Sequence, residues 1–289
     1  MPTPARTHHW QVNVGRWSYT TAAPDPDLAG AVLEYWEVQG ELAPFSERVL
    51  PNGALELMVN LGPVHYLLDA GTRTRWDHAW CSGLHERAIA IESAEGTHLV
   101  SARLTPLGAY QLLGPAAPAA ANRVVELTDL LGAEAAALVA ALRADPDAAT
   151  RFARLEAFLR ARHAAGPRPA PFVARAVAEL DAAHGRLPIG DLPTRLGVSR
   201  KHLTVSFTRT VGLPPKRYAS LRRFTWTLAR LQESTSVDWA RLAGEAGYSD
   251  QAHLVRDFRR VAAASPTEFL RTVTPDGTAL LDEAAPDAG

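Results

Sequence analysis

Arg200, Lys201, Thr204, Val205 and Thr208 recur at helical spacing, and Gln251, Ala252, Val255, Arg256 and Arg259 recur in the same way about fifty residues later. Side chains of these types make and break few bonds. A guanidinium or ammonium grips phosphate, arginine or glutamine bonds a base edge in bidentate fashion, and a valine or threonine methyl meets an apolar base substituent. The chemistry on offer is recognition of a patterned polyanion.

Catalytic chemistry finds little footing. The chain has one cysteine, Cys81, which excludes an internal disulfide framework and a cysteine-built zinc site. His65, His78, His85 and His98 stand singly, with no His-x-His pair on a strand; the adjacent His8 and His9 point to opposite faces of any strand. A Ser nucleophile elbow and a glycine-rich phosphate loop are both absent. The expectation is a non-enzyme with no metal and no cofactor; a metal-dependent enzyme with an appended DNA-binding domain is the remotest alternative.

The elements that must position the polar residues are written twice. In the first copy, Leu192 and Leu196 share one face of a short helix, and Gly197 follows with the φ > 0 freedom that a tight interhelix turn requires. Val198 is an apolar anchor and Ser199 a helix N-cap. In the helix that follows, Leu203, Phe207 and Thr210 cluster on one side at about 100° per residue. Lys201, Thr204, Val205 and Thr208 cluster on the other. In the second copy, Leu242 and Ala246 precede Gly247, Tyr248 is the anchor, Ser249 the cap, and Leu254 and Phe258 the buried face. The offset is 50 residues up to Ser249 and 51 from His253 onward. That shift predicts one added residue near the start of the second helix. A short helix, a glycine turn and a capped second helix form a helix-turn-helix, whose second helix has the size to enter a major groove. Between the copies, a helix of roughly 17 residues spans on the order of 25 Å, enough to set two such helices toward successive grooves.

Charge points the same way. Residues 1–167 carry 13 Arg and 18 Asp+Glu, whereas residues 168–275 carry 17 Arg+Lys and 9 Asp+Glu; the last fourteen residues hold 4 acids and no base. A near-neutral whole thus contains a basic block of net +8, as expected of a part that meets double-stranded DNA.

Residues 172–271 resemble the DNA-binding domain of AraC-type transcriptional regulators. The resemblance rests on Gly197-Val198-Ser199, Leu203, Phe207, Gly212, Tyr218, Arg222, Leu231, Val237, Leu242, Gly247-Tyr248-Ser249-Asp250, His253, Phe258, and Ser265-Pro266 before Phe269. It implies two helix-turn-helix units joined by a linker helix. It also implies sequence-specific major-groove binding, and RNA polymerase as a partner where such a protein activates. Three positions depart from the family pattern. Val205 stands where an arginine is usual, Pro193 replaces an early alanine, and Ala263 stands where the second unit usually carries glycine.

The stretch "HAAGPRPAPF" breaks any helix or strand and places a linker at 166–171. Before it, residues 10–105 show short strands, among them "AVLEYWEVQ", "LELMVNLG" and "THLVSARL", that suggest a small barrel or sandwich. Residues 127–163 are helical, with Asp129 and Asp147 as expected caps. The expected architecture is therefore α+β: a sensing or dimerising β-barrel-like domain with following helices over 1–165, then an all-α domain over 172–271. An acidic, frayed tail over 275–289 completes it. The segments "RVLPNGALELMVNLG", "LTPLGAYQLLG" and "VVELTDLLG" are similar to uncharacterised N-terminal domains of some AraC-type regulators. Trp10, Trp17, Tyr35, Trp36, Tyr66, Trp76 and Trp80 are candidates to line an apolar effector pocket. The Leu, Val and Phe stripes of 129–143 and 147–163 are candidates to pair two protomers as a homodimer. A small-molecule sensor and a pure dimerisation or partner module both remain open for this half. With no apolar run near the roughly 18 residues of a membrane span, and no signal-peptide pattern at the start, a cytoplasmic protein is expected.

Overall fold

The structure is a computed structural model that describes residues 5–12, 15–69, 71–93, 96–233, 236–274 and 277–281. Twelve strands appear in it. They are β1 (Arg6–Val12), β2 (Gly15–Ala22), β3 (Val32–Leu42), β4 (Phe45–Val49), β5 (Leu55–Asn60) and β6 (His65–Asp69). Then come β7 (Thr72–Trp76), β8 (Ala79–Ser82), β9 (Ile89–Ser93), β10 (Thr97–Leu104), β11 (Val124–Glu126) and β12 (Ala279–Leu281). One sheet runs β1-β2-β3-β10-β5-β8-β11 and the other β12-β4-β9-β6-β7. The two sheets pack on each other and do not close into a barrel.

Period-two alternation divides the central strands between two cores. From β3, β5 and β10, Tyr35, Leu57, Val59, Val100 and Ala102 join a large cluster with the helices that follow. Their neighbours Trp36, Met58 and Leu99 turn the other way, toward Trp76 and Trp80. The first sheet is thus covered by helices on one face and by the second sheet on the other.

The helices after β10 are α1 (Pro106–Leu113), α2 (Leu127–Leu131), α3 (Ala133–Ala144) and α4 (Ala148–Ala165). Asp147 caps α4, accepting from the Thr150 amide at 2.8 Å. Asp129 caps nothing: it lies inside α2, and Gly132, with φ of 55°, separates α2 from α3. The apolar stripes of α3 and α4 are not free for a second protomer. Leu138, Val139, Leu142, Phe152, Leu155 and Leu159 are all buried in the chain's own core, where Phe152 stacks on Tyr35. Arg151 of α4 reaches Glu37 of β3 at 2.8 Å and helps to seat the helix.

After an extended stretch from Gly166 to Ala170, the chain forms α5 (Pro171–Ala182), α6 (Leu192–Leu196), α7 (Arg200–Val211) and α8 (Pro215–Gln232). The last three helices are α9 (Trp239–Ala246), α10 (Gln251–Ala262) and α11 (Pro266–Thr272). Side chains of α5, α7 and α8 belong to the same cluster as the first sheet and α1–α4. Those of α9, α10 and α11 form a separate cluster, joined by Phe224, Leu228 and Leu231 from the second half of α8, by Leu50 and, after α11, by Leu280. The expected frayed tail is corrected in part. Ala279–Leu281 form β12, which pairs antiparallel with β4; residues 282–289 of that tail lie outside the described residues. Among the described residues, no helix is long and apolar enough to cross a membrane.

Candidate nucleic-acid interface

Both repeated motifs fold as helix, turn, helix. In the first, Gly197 takes the left-handed conformation at φ of 67°, and Ser199 accepts from the His202 amide at 3.2 Å. Leu203, Phe207 and Thr210 are buried, whereas Arg200, Lys201, Thr204 and Val205 are exposed and Thr208 half-buried. Pro193 falls in the first turn of α6, where the missing amide hydrogen costs nothing.

In the second, Gly247 is left-handed at φ of 78°, and Leu254 and Phe258 are fully buried. Gln251, Ala252, Arg256 and Arg259 are exposed; Val255 is only half-buried because it packs partly on the core of this unit. The cap differs from expectation. Asp250, not Ser249, accepts from the His253 amide, at 2.7 Å, and that bond holds its carboxyl below the usual range. The Ser249 hydroxyl instead bonds Asp250 and His253. Measured from cap to cap, Ser199 to Asp250, the repeat is uniform, so the added residue is Ser249, in the turn and not in the helix. Gly212 and Ala263 end the two recognition helices at φ of 93° and 53°. Alanine thus sits in the conformation for which glycine is usual.

Ion pairing sorts the basic block. Arg175, Arg195, Arg217, Arg222, Arg230, Arg241 and Arg260 are each tied to a carboxylate. Arg200, Lys201, Arg256 and Arg259, the residues singled out by spacing, are exposed cations outside every ion pair found among the described residues. Arg209 and Lys216 share that condition and were not singled out: Arg209 flanks the chosen residues near the end of α7, and Lys216 lies in the linker helix α8. The signal that finds them is the lack of a carboxylate three or four residues away.

The N-terminal half holds the two units differently. α7 packs against α1 and the short turn Ala117–Ala120. The far end of α10 is held by β4 and its neighbours: Arg48 donates to the Ala263 carbonyl at 2.7 Å and to Glu268 at 3.2 Å, and the Ala88 amide donates to the Val261 carbonyl at 2.6 Å.

Between the two sheets lies a cavity of about 200 Å³. Of the aromatic candidates, Trp17, Trp36, Tyr66, Trp76 and Trp80 line it; Tyr35 is buried on the other side of the sheet, and Trp10 lies outside the lining. His65 and His85 also line it, and burial pushes each imidazole down to about 4. His78 and His98 turn elsewhere, His98 bonding Glu37 at 3.0 Å. No group of three or more His, Cys, Asp or Glu able to hold a metal ion occurs among the described residues. Burial pushes the Cys81 thiol up to about 12, which leaves it an inert core group. Three lining residues come from the opposite end of the chain: Thr274, Thr278 and Ala279.

Solved structures with a similar arrangement include ToxT from Vibrio cholerae, 10% identical with a TM-score of 0.47, covering 82% of this chain and 98% of that one. The C-terminal domain of AraT, a response regulator from Geobacillus stearothermophilus, is 19% identical with a TM-score of 0.35, over 42% of this chain and 96% of that one. The AraC-like transcriptional activator CuxR is 16% identical with a TM-score of 0.32, over 80% and 87%. No curated protein matches. Residues 192–272 match the family described as a helix-turn-helix domain, and residues 20–126 match a domain of unknown function, DUF6597. The chain therefore carries a helix-turn-helix domain over residues 192–272 behind a domain of unknown function, DUF6597, over residues 20–126.

Proposed function

We propose that the chain is a transcriptional regulator that reads double-stranded DNA through α7 and α10 and answers to a small molecule held between its two sheets. In this reading Arg256, Gln251 and Arg259 read base edges from α10, and Lys201 and Thr204 do so from α7. Arg200, Arg209 and Lys216 meet phosphates, which position without specifying. The linker helix α8, about 27 Å long at 1.5 Å per residue, spaces the two units for successive major grooves.

The observation that carries effector control is the path of the chain after α11. It leaves the second helix-turn-helix unit, returns to the N-terminal half, and adds β12 to the edge of the second sheet. The Leu50 amide donates to the Thr278 carbonyl at 2.9 Å. Leu280 lies in the core of the second unit, while its neighbour Ala279 lines the cavity. One short strand therefore touches both the cavity and the core on which α10 rests. A ligand that binds more tightly to one setting of β4 and β12 biases the setting of α10, and a coupling of about 1–3 kcal/mol is ordinary for such a link. This placement favours a sensor over a pure partner module, and the burial of the α3 and α4 stripes removes the surface on which a homodimer was expected.

The test is binding of full-length protein to a randomised DNA pool, followed by affinity for the selected sequence across a salt series. Enrichment of one sequence, with a log–log slope near −0.9 per phosphate contacted, is the expected outcome. A folded protein that enriches nothing and binds without salt dependence overturns the DNA-reading proposal. Hydrogen exchange of α10 then reports the coupling: a variant that unseats β12, Leu280→Asp, should loosen α10 and leave α7 protected.

A further inference from the structure

His65 and Trp76 stand directly opposite each other across β6 and β7, so their side chains share one face. They are 4% and 9% exposed, and both line the cavity. The His65 Nδ1 exchanges a hydrogen bond with the Ser93 hydroxyl at 3.0 Å. Its Nε2 has no partner among the described residues, and neither has the Trp76 indole nitrogen. Buried polar groups in native proteins are nearly always satisfied, and each one left bare costs free energy. Two bare nitrogens on paired residues that both line the cavity mark a place where something else supplies the bond.

The rest of the wall defines what that something is. Trp36, Met58, Leu67, Trp80, Ile91 and Leu99 make it largely apolar. An apolar cavity of about 150 Å³ takes a benzene ring, so about 200 Å³ suits one ring or two small fused rings. Among the described residues Arg103 is the only arginine or lysine in the wall, and it is committed: its guanidinium bonds Glu56 at 2.6 Å and also Glu34. Glu56 in turn accepts from Trp36 at 3.0 Å, Ser101 at 2.9 Å and Asn52 at 2.9 Å. An anionic ligand would find no uncommitted cation and a carboxylate in its path. A cationic ligand would gain from the indole faces, yet it would leave the Trp76 N–H, a donor only, without an acceptor.

On the effector reading given above, we infer that the cavity takes a neutral, ring-sized molecule whose hydroxyl or carbonyl oxygen bonds the Trp76 indole N–H and the His65 Nε2. With Ser93 donating to Nδ1, Nε2 carries its hydrogen and a carbonyl satisfies both nitrogens. With the other tautomer, a hydroxyl does so by accepting from Trp76 and donating to His65.

The experiment is titration of full-length protein, followed by calorimetry and tryptophan fluorescence, with four ring compounds: neutral coumarin and 2-naphthol, anionic 2-naphthoate, and cationic phenyltrimethylammonium. The neutral pair should bind at least tenfold more tightly than either charged probe. Trp76→Phe keeps a ring and loses the N–H; it should weaken coumarin binding about fivefold to tenfold without lowering the unfolding temperature of the free protein. Preference for 2-naphthoate or phenyltrimethylammonium overturns the ligand class and leaves effector control standing. Coumarin affinity unchanged in both Trp76→Phe and His65→Phe overturns the placement. If no probe binds while the protein still selects a DNA sequence, the ligand inference falls and the DNA-reading proposal survives.

Discussion

Arg48, in the edge strand β4, donates to the carbonyl of Ala263 at 2.7 Å, 215 residues further along the chain. Ala263 is the residue that ends α10. The last carbonyls of a helix have no partner within it, and a cation there also meets the negative end of the helix dipole. β4 thus finishes the second recognition helix from another part of the fold, while α7 rests on α1 instead.

Arg48→Ala should therefore act on one unit. Loss of charge-assisted bonds of this kind costs roughly 1.5–3 kcal/mol. Hydrogen exchange should quicken in the last turn of α10 and in α11, whose Glu268 also loses its ion pair, with α7 unaffected. Uniform acceleration across both helices would contradict the division between the two cores.

Ala263 and Gly212 occupy matching places and should respond oppositely to exchange. Ala263 holds φ of 53°, so Ala263→Gly relieves backbone strain and should add about 0.5–1 kcal/mol in denaturant unfolding. Gly212 has φ of 93°, and a Cβ there would lie 2.6 Å from the Pro118 carbonyl oxygen, a backbone atom that cannot swing aside. Gly212→Ala should cost about 1–3 kcal/mol and loosen the seat of α7 on the N-terminal half.

The second half of the fold was far more legible than the first, and the reason is local. Gly197, Ser199, Leu203 and Phe207 encode a turn, a cap and a buried face within a dozen residues, so their pattern needs nothing from elsewhere. The single misreading there, Ser249 as the cap, arose because Ser249 and Asp250 are adjacent and both cap well; only geometry chooses. In the first half, strands such as "LELMVN" and "THLVSARL" announced themselves, but "TRTRW" of β7 did not, and at the far end of the chain neither did the three residues of β12. β7 is an edge strand with mostly exposed side chains, and β12 exists because β4 offers it a partner. The stripes of α3 and α4 were visible, but whether such a stripe faces its own sheet or a second protomer is decided by Tyr35, more than a hundred residues away. The exposed positions of α7 and α10 were readable by spacing, whereas Arg209 and Lys216 were missed. The link from Arg48 to Ala263 and the pairing of His65 with Trp76 were not, since both are made by tertiary contact.

Acid should destabilise the protein in a defined window. His65 is buried and neutral, with its imidazole pushed down to about 4 by loss of solvent. In the unfolded chain it takes a proton near 6.5. Between those values the unfolded state binds more protons, so stability is full above about pH 6.5 and declines as pH falls toward 4. The decline amounts to about 3 kcal/mol at most from this residue. His85 shifts in the same sense. Denaturant unfolding at pH 7 and pH 5 should show the loss in the parent protein and a smaller one in His65→Phe. Depressed carboxyls such as Asp145 act below this window and do not account for it.

The two recognition helices should differ in what they read. Arg256 is exposed on the outer face of α10, outside the ion pairs found among the described residues, and its guanidinium has the fork geometry that grips guanine O6 and N7 together. The matching position in α7 is Val205, 57% exposed, which offers only methyl groups. A valine left so open on a helix otherwise anchored by Leu203 and Phe207 is not serving the core. It can meet a thymine methyl, a contact weaker and less selective than a bidentate pair. Arg256→Ala should then cost about 1–3 kcal/mol on the best site and relax preference at one or two base pairs. Val205→Ala should change affinity by a few tenths of that, and Val205→Arg should create a new preference for guanine in the half-site read by α7. The measurement is binding across a library randomised one half-site at a time. Equal losses from Arg256→Ala and Val205→Ala, or a Val205→Arg protein with unchanged preference, would overturn the proposed difference between α7 and α10.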